Sequence, residues 1–158
     1  MKWKDMLDEW GLTSLKLSAG FLNAEWKPQD PDKDAAWELY VELLTRITTQ
    51  PLPHAHGVER TALDSVYSLF PGTRAVLKTH GRKCAQFTKL AVIVLNQIVR
   101  PFTAEWHRIA EQGGFDDPAT CARFRAELQT LQQRLVVYSN ALAKIADVED
   151  LTGLISES

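Results

Sequence analysis

Cys121, Phe124, Leu128, Leu131, Leu135, Tyr138, Leu142 and Ile145 follow one another at steps of 3, 4, 3, 4, 3, 4 and 3 residues. An unbroken heptad stripe predicts a long helix with one apolar seam, the pattern of bundle packing. Val136 and Val137 widen the seam and predict more than one neighbour. Asp117 ahead of Pro118 supplies an N-cap and a first helical residue, which places the helix over residues 118–147. Upstream, Phe87, Ala91, Val94, Ile98, Phe102 and Ile109 recur at helical spacing, and Ala85, Leu95, Val99 and Trp106 form a second apolar face. This predicts one mostly buried helix over about residues 82–112. Pro101 cannot donate to the Gln97 carbonyl, and its ring crowds that carbonyl, so a kink or break is expected near Arg100–Pro101.

The first half reads as shorter pieces. Asp34, Glu38, Glu42 and Arg46 lie on one face of a helix predicted over residues 32–49, with Ala36, Tyr40, Leu43, Leu44 and Ile47 opposite. Trp3, Met6, Leu7 and Trp10 predict a short N-terminal helix stopped by Gly11. Residues 12–26 fit a helix stripe and a strand alternation about equally, with helix or irregular structure favoured; residues 27–34 are a linker. Leu63, Val66, Tyr67 and Phe70 predict a helix over 59–70, broken by Pro71–Gly72. Thr73 is the expected cap of another helix ending at Gly81. The sum is an all-α helical bundle forming a single domain over residues 1–158. Its two long C-terminal helices form an antiparallel pair, the 32–49 helix packs on them, and residues 1–31 form an N-terminal helix and extension.

Composition narrows the class. Apolar residues make up 45% and charged residues 24% of the 158, which suits a folded globular chain. The longest apolar run in the 82–112 segment, residues 90–95, is six residues, far below the roughly 20 needed to span a bilayer. Two cysteines make no disulfide framework, and the first ten residues lack an apolar signal-peptide core. A cytoplasmic protein with no membrane contact is expected.

Charge is where the pattern becomes informative. Residues 65–104 contain no Asp or Glu but six Lys and Arg; residues 1–64 and 105–158 each carry a net −4. Arg74, Lys78, Arg82, Lys83 and Lys89 cluster around the turn KTHGRK, at the start of the predicted 82–112 helix. Free helix N–H groups there favour anions. The patch suits the backbone of RNA or DNA, a phosphorylated small molecule, or an acidic protein surface. No aromatic residue interleaves the bases from Arg74 to Lys83, so base stacking is not indicated.

Catalytic signals are weak. His54 and His56 form a His-x-His that lacks an identifiable third metal ligand and reads best as two loop histidines. Cys84 with His80 or His107 has the residue types of a nucleophile–base pair, but Cys84 and Cys121 fall on apolar faces and read as core. Asn96, Gln97, Arg100 and Glu105 surround the Pro101 kink, where polar groups on a buried helix need partners. They read as a register-fixing or exposed polar layer, with an active site as the alternative. No phosphate-binding loop, nucleophile elbow or metalloprotease motif occurs, and no metal or cofactor is expected. Trp3 and Trp10 on one short helix read as a docking face, since so short an element rarely buries two indoles alone. The expectation is a non-enzymatic interaction protein, a homo-oligomer or an accessory subunit bound to a protein partner. Nucleic-acid binding through residues 74–89 is the alternative, and an enzyme, at the kink or with a metal at His54 and His56, the third reading.

Overall fold

The computed structural model describes residues 1–46, 48–52 and 58–155, and among them the architecture is all helical. The helices are α1 (Trp3–Glu9), α2 (Ala19–Asn23), α3 (Asp30–Leu44), α4 (Glu59–Tyr67), α5 (Leu69–His80), α6 (Ala85–Val94), α7 (Arg100–Glu111) and α8 (Pro118–Ala146). None is long and apolar enough to cross a membrane. One hydrophobic core runs from Trp3 to Ile145. The heptad stripe forms the α8 side of that core, with every member from Phe124 to Ile145 buried and Cys121 at its half-exposed end. Asp117 caps α8 as expected, accepting from the Thr120 N–H at 3.2 Å.

Helix α3 is the hub: it lies along α8 and also touches α5, the 81–84 turn and α6. It starts and stops earlier than the 32–49 stripe suggested. Gln29 and Asp32 form a reciprocal capping box with Pro31 inside the first turn, so the start moves to Asp30. At the other end, the Thr48 and Thr49 hydroxyls both donate to the Leu43 carbonyl, and the Gln50 amide donates to that of Leu44. Side chains of the following turn thus take carbonyls that a longer helix would have used. Ile47 lies outside the described residues.

Asp32 does a second job across the fold. Its carboxylate is 1% exposed; Oδ2 accepts from the Gln29 N–H and Oδ1 from the Phe87 N–H, both at 2.8 Å. Phe87 is the third residue of α6, so one carboxylate satisfies orphan donors at the starts of two helices.

Two further expectations are corrected. Pro71–Gly72 does not separate two helices; the break is at Ser68, and Pro71 sits in the first turn of α5, where no N–H is needed. Thr73 is therefore a buried residue inside α5, not its cap. The predicted 82–112 helix is present as one helical run over residues 85–111, disturbed once ahead of Pro101. A 3₁₀ turn, Gly81–Cys84, precedes α6, and a π turn, Leu95–Val99, joins α6 to α7. In that turn the Arg100 N–H reaches the Leu95 carbonyl, five residues back. The disturbance caused by Pro101 is thus absorbed one turn earlier than the proline itself.

Residues 12–26 are mostly irregular around the five-residue α2, with residues 1–3 paired antiparallel to 24–26. The Gln97 side-chain amide clamps this segment, accepting from the Lys16 N–H and donating to the Lys16 carbonyl, both at 2.8 Å. Arg134 on α8 donates to the Ser14 hydroxyl at 3.2 Å. Between α4 and α8, Arg125 donates to Glu59 at 2.8 Å, with both side chains less than one-fifth exposed.

Two outcomes follow for stability. Asp32→Ala should cost roughly 3 kcal/mol, because it removes a cap and strands a buried donor on α6; Asp32→Asn, which keeps one acceptor oxygen, should cost less. Urea unfolding of both variants measures this. Burial alone would raise the Glu59 carboxyl, but the Arg125 hydrogen bond, a bond from its own backbone and the Arg125 charge bring it below the ordinary range. The folded chain then binds that proton less readily than the unfolded chain. The contribution is complete above the ordinary carboxylate value of about 4.3 and is lost as pH falls below it. Glu59→Gln should flatten the acid limb of a stability–pH curve and leave the neutral region lower.

Candidate functional site

Helix α5 turns Thr73 and Val76 inward and so exposes Arg74 and Lys78 on the opposite side. Gly81 then adopts φ +68°, a left-handed conformation that ends α5 and swings Arg82 and Lys83 outward. Cys84 is buried beneath the turn, its thiol donating to the Gly81 carbonyl at 3.1 Å. Phe87 and Leu90 anchor α6 in the core and leave Lys89 outside. All five bases are exposed, and none makes an ion pair or side-chain hydrogen bond among the described residues. They form a basic ridge along α5, the turn and the start of α6.

Neighbouring charges are engaged elsewhere. His80, between the bases in sequence, points inward; its Nε2 lies 2.8 Å from Glu38 Oε1 on α3. Arg100 bonds Asn96 at 3.1 Å and lies over the Phe70 ring at 4.7 Å. The N-terminal end of the predicted 82–112 helix was an expected anion site. At the start of α6 the Phe87 N–H is already bonded to the buried Asp32 carboxylate. The ridge offers side-chain cations on a surface, and one of the helix-start donors beside it is already taken.

Trp3 and Trp10 are not a docking face. They are 0% and 5% exposed, packed with residues of the irregular segment that folds back over α1. Trp3 meets Phe21 and Trp26 at ring separations of 4.8 and 4.7 Å, and Trp26 meets Trp10 at 5.1 Å. The exposed tryptophan is Trp37 on α3, 43% open, one helical turn from Val41. Its signal was present in the sequence: Trp37 and Val41 fall on the outward side with Asp34 and Glu38.

The polar residues near Pro101 do not converge. Asn96 holds Arg100, Gln97 holds Lys16, and Glu105 pairs with Arg123 at 3.8 Å. They are separate structural contacts, as the polar-layer reading expected, and do not form the alternative active site. Cys121 is half-buried, with burial and the nearby Glu59 charge pushing its thiol upward, away from the reactive thiolate. His107 packs edge-on against Tyr67 at 5.1 Å. His54 and His56 lie outside the described residues, and among the described ones no three His, Cys, Asp or Glu cluster as metal ligands. A groove of about 430 Å³ lies over the Glu105–Arg123–Glu127 ion pairs, with Ala126 and Thr130 completing its lining.

No protein-family model, curated protein or solved structure matches this chain.

The burial of the N-terminal tryptophans has a direct test. Trp3→Ala should destabilise the fold by about 3–5 kcal/mol, the range for emptying a buried aromatic site. Thermal unfolding would then show a large loss, where truncating a surface anchor would show almost none.

Proposed function

We propose that this protein works by association and that its basic ridge seats the phosphate backbone of a nucleic acid, without reading base sequence. The observation that carries this reading is the set of five exposed cations, Arg74, Lys78, Arg82, Lys83 and Lys89, unpaired among the described residues and drawn from a 40-residue stretch free of acids. Two grounds for a protein partner are weaker once the chain is folded. The heptad seam is spent on the core, and so are Trp3 and Trp10.

The make-up of the ridge favours phosphate over an acidic protein. Protein interfaces concentrate their energy on buried aromatic or apolar anchors ringed by polar groups. No large exposed apolar residue falls between residues 68 and 91. Backbone contacts to nucleic acid need no such anchor and come from Arg and Lys at fixed positions. The absence of exposed aromatic rings on the ridge also disfavours stacking on single strands and points to a duplex.

The test is binding to a short duplex of arbitrary sequence across a salt series. Log affinity should fall linearly with log salt at about −0.9 per phosphate contacted. Arg82→Ala with Lys83→Ala should lower the slope by roughly two contacts and weaken all sequences alike. No binding at low salt, or a slope unmoved by the double variant, overturns the reading. Displacement of the duplex by polyglutamate at equal charge would replace nucleic acid with an acidic protein partner.

A further inference from the structure

A pocket of about 300 Å³ opens where the start of α3 meets the end of α8. Met6, Trp10, Trp26 and Ile145 give it apolar walls, and Trp10 meets Trp26 edge-on at 5.1 Å. Four charged residues line it as well: Lys33 and Lys144, Glu9 and Asp147. None of the four makes an ion pair or a side-chain hydrogen bond among the described residues. The lining therefore sums to zero charge while its opposite charges stay apart. Trp10 is 5% exposed, and its indole N–H has no hydrogen-bond partner among the described residues. Unlike the N–H groups of Trp3 and Trp106, it is not sealed from solvent, so it is free to meet an acceptor.

Two of these charges oppose the helices that carry them. Lys33 is half-buried and is the fourth residue of α3, at the positive end of that helix's dipole. Asp147 ends α8, at the negative end of its dipole. It takes φ +57° and is the only non-glycine residue at positive φ among the described residues. Helix ends give that conformation most often to glycine. Both placements work against the stability of the isolated chain, and both fall on the same pocket. Each charge also adds to the field of the helix end beside it, positive at α3 and negative at α8. Asp30 and Asp34, the exposed acids near Lys33 on α3, lie outside the lining, and Asp32 is committed to backbone donors.

We propose that this pocket binds a free α-amino acid with an apolar side chain. The carboxylate meets Lys33 and the Trp10 N–H, the ammonium meets Asp147 and Glu9, and the side chain lies on Trp26 and Ile145. A simple anion would face two acids and a simple cation two lysines. A wholly apolar molecule would take water from four charges and return no hydrogen bond. A zwitterion with an apolar body answers every part of the lining. The volume lies at the small end of the range for ligand pockets, which suits a molecule of that size. No residue of the basic ridge takes part, so the site stands apart from the phosphate-binding reading.

Isothermal titration with L-leucine, L-methionine and L-phenylalanine should show saturable binding of at least one, with a Kd below about 10 mM. For a bound L-leucine, leucinamide and isocaproate, which lack the carboxylate and the ammonium in turn, should each bind more weakly. Lys33→Met and Asp147→Asn should each weaken the amino acid at least ~10-fold, the loss of one charge-assisted hydrogen bond. Both variants should melt no lower than the natural chain, because each removes a charge from the unfavourable end of a helix. Absence of binding by all three amino acids overturns the proposal. So does an affinity unmoved by either variant, a one-charge analogue that binds as tightly as its parent, or a melting temperature lowered by either variant, which would give that charge to the fold. Duplex affinity should be the same in both variants, so this pocket and the ridge stand or fall separately.

Discussion

The Asp32 carboxylate is the constraint on which the helix arrangement turns. A buried carboxylate is tolerated only where hydrogen bonds replace its water, and here they come from backbone N–H groups at the starts of α3 and α6. The first requirement fixes where α3 begins. The second fixes where α6 begins relative to α3, and with it the turn that carries Arg82 and Lys83. The Glu38–His80 contact further along α3 ties down the end of α5 before that turn. Two acids on the hub helix therefore bracket the basic segment and set its place on the surface.

This bracketing also explains why an acidic neighbour leaves the ridge free. Asp32 is occupied by backbone, Glu38 by His80, and Glu42 by Arg46 on its own helix. None of the three is committed to the five ridge bases. Segregated charge in a chain of net −2 thus survives folding as a local positive field and is not cancelled internally.

Much of the helical framework was legible in the sequence because it rests on local periodicity. The α8 seam is the clearest case: a 3–4 repeat over seven steps admits one helix and one buried side. Pro71 was misread because a proline shows that backbone geometry changes without saying which side of it the change falls. The actual break at Ser68 placed it in a first turn. The 12–26 segment fitted two templates because it follows neither. It is held by Gln97, Arg134 and the aromatic cluster, partners more than 80 residues away or on another element. The same non-locality hid the cover over Trp3 and Trp10. The five ridge bases were visible as charges, but the occupation of the α6 start by Asp32 was not. An aspartate in a proline-rich linker carries no mark of the distant N–H it will accept from.

The long reach of those N-terminal contacts has a consequence for biosynthesis. Trp3 and Trp10 are synthesised before Gln97, and Gln97 before the α8 residues that complete the surroundings of this segment, including Val137 beside Gly11 and Arg134 beside Ser14. At translation rates of about 5–20 residues per second, the aromatic segment waits roughly 6–25 seconds before α8 arrives. For that interval the indoles face the solvent or whatever meets the nascent chain. The residues least available for association in the finished protein are thus the ones most available while it is being made.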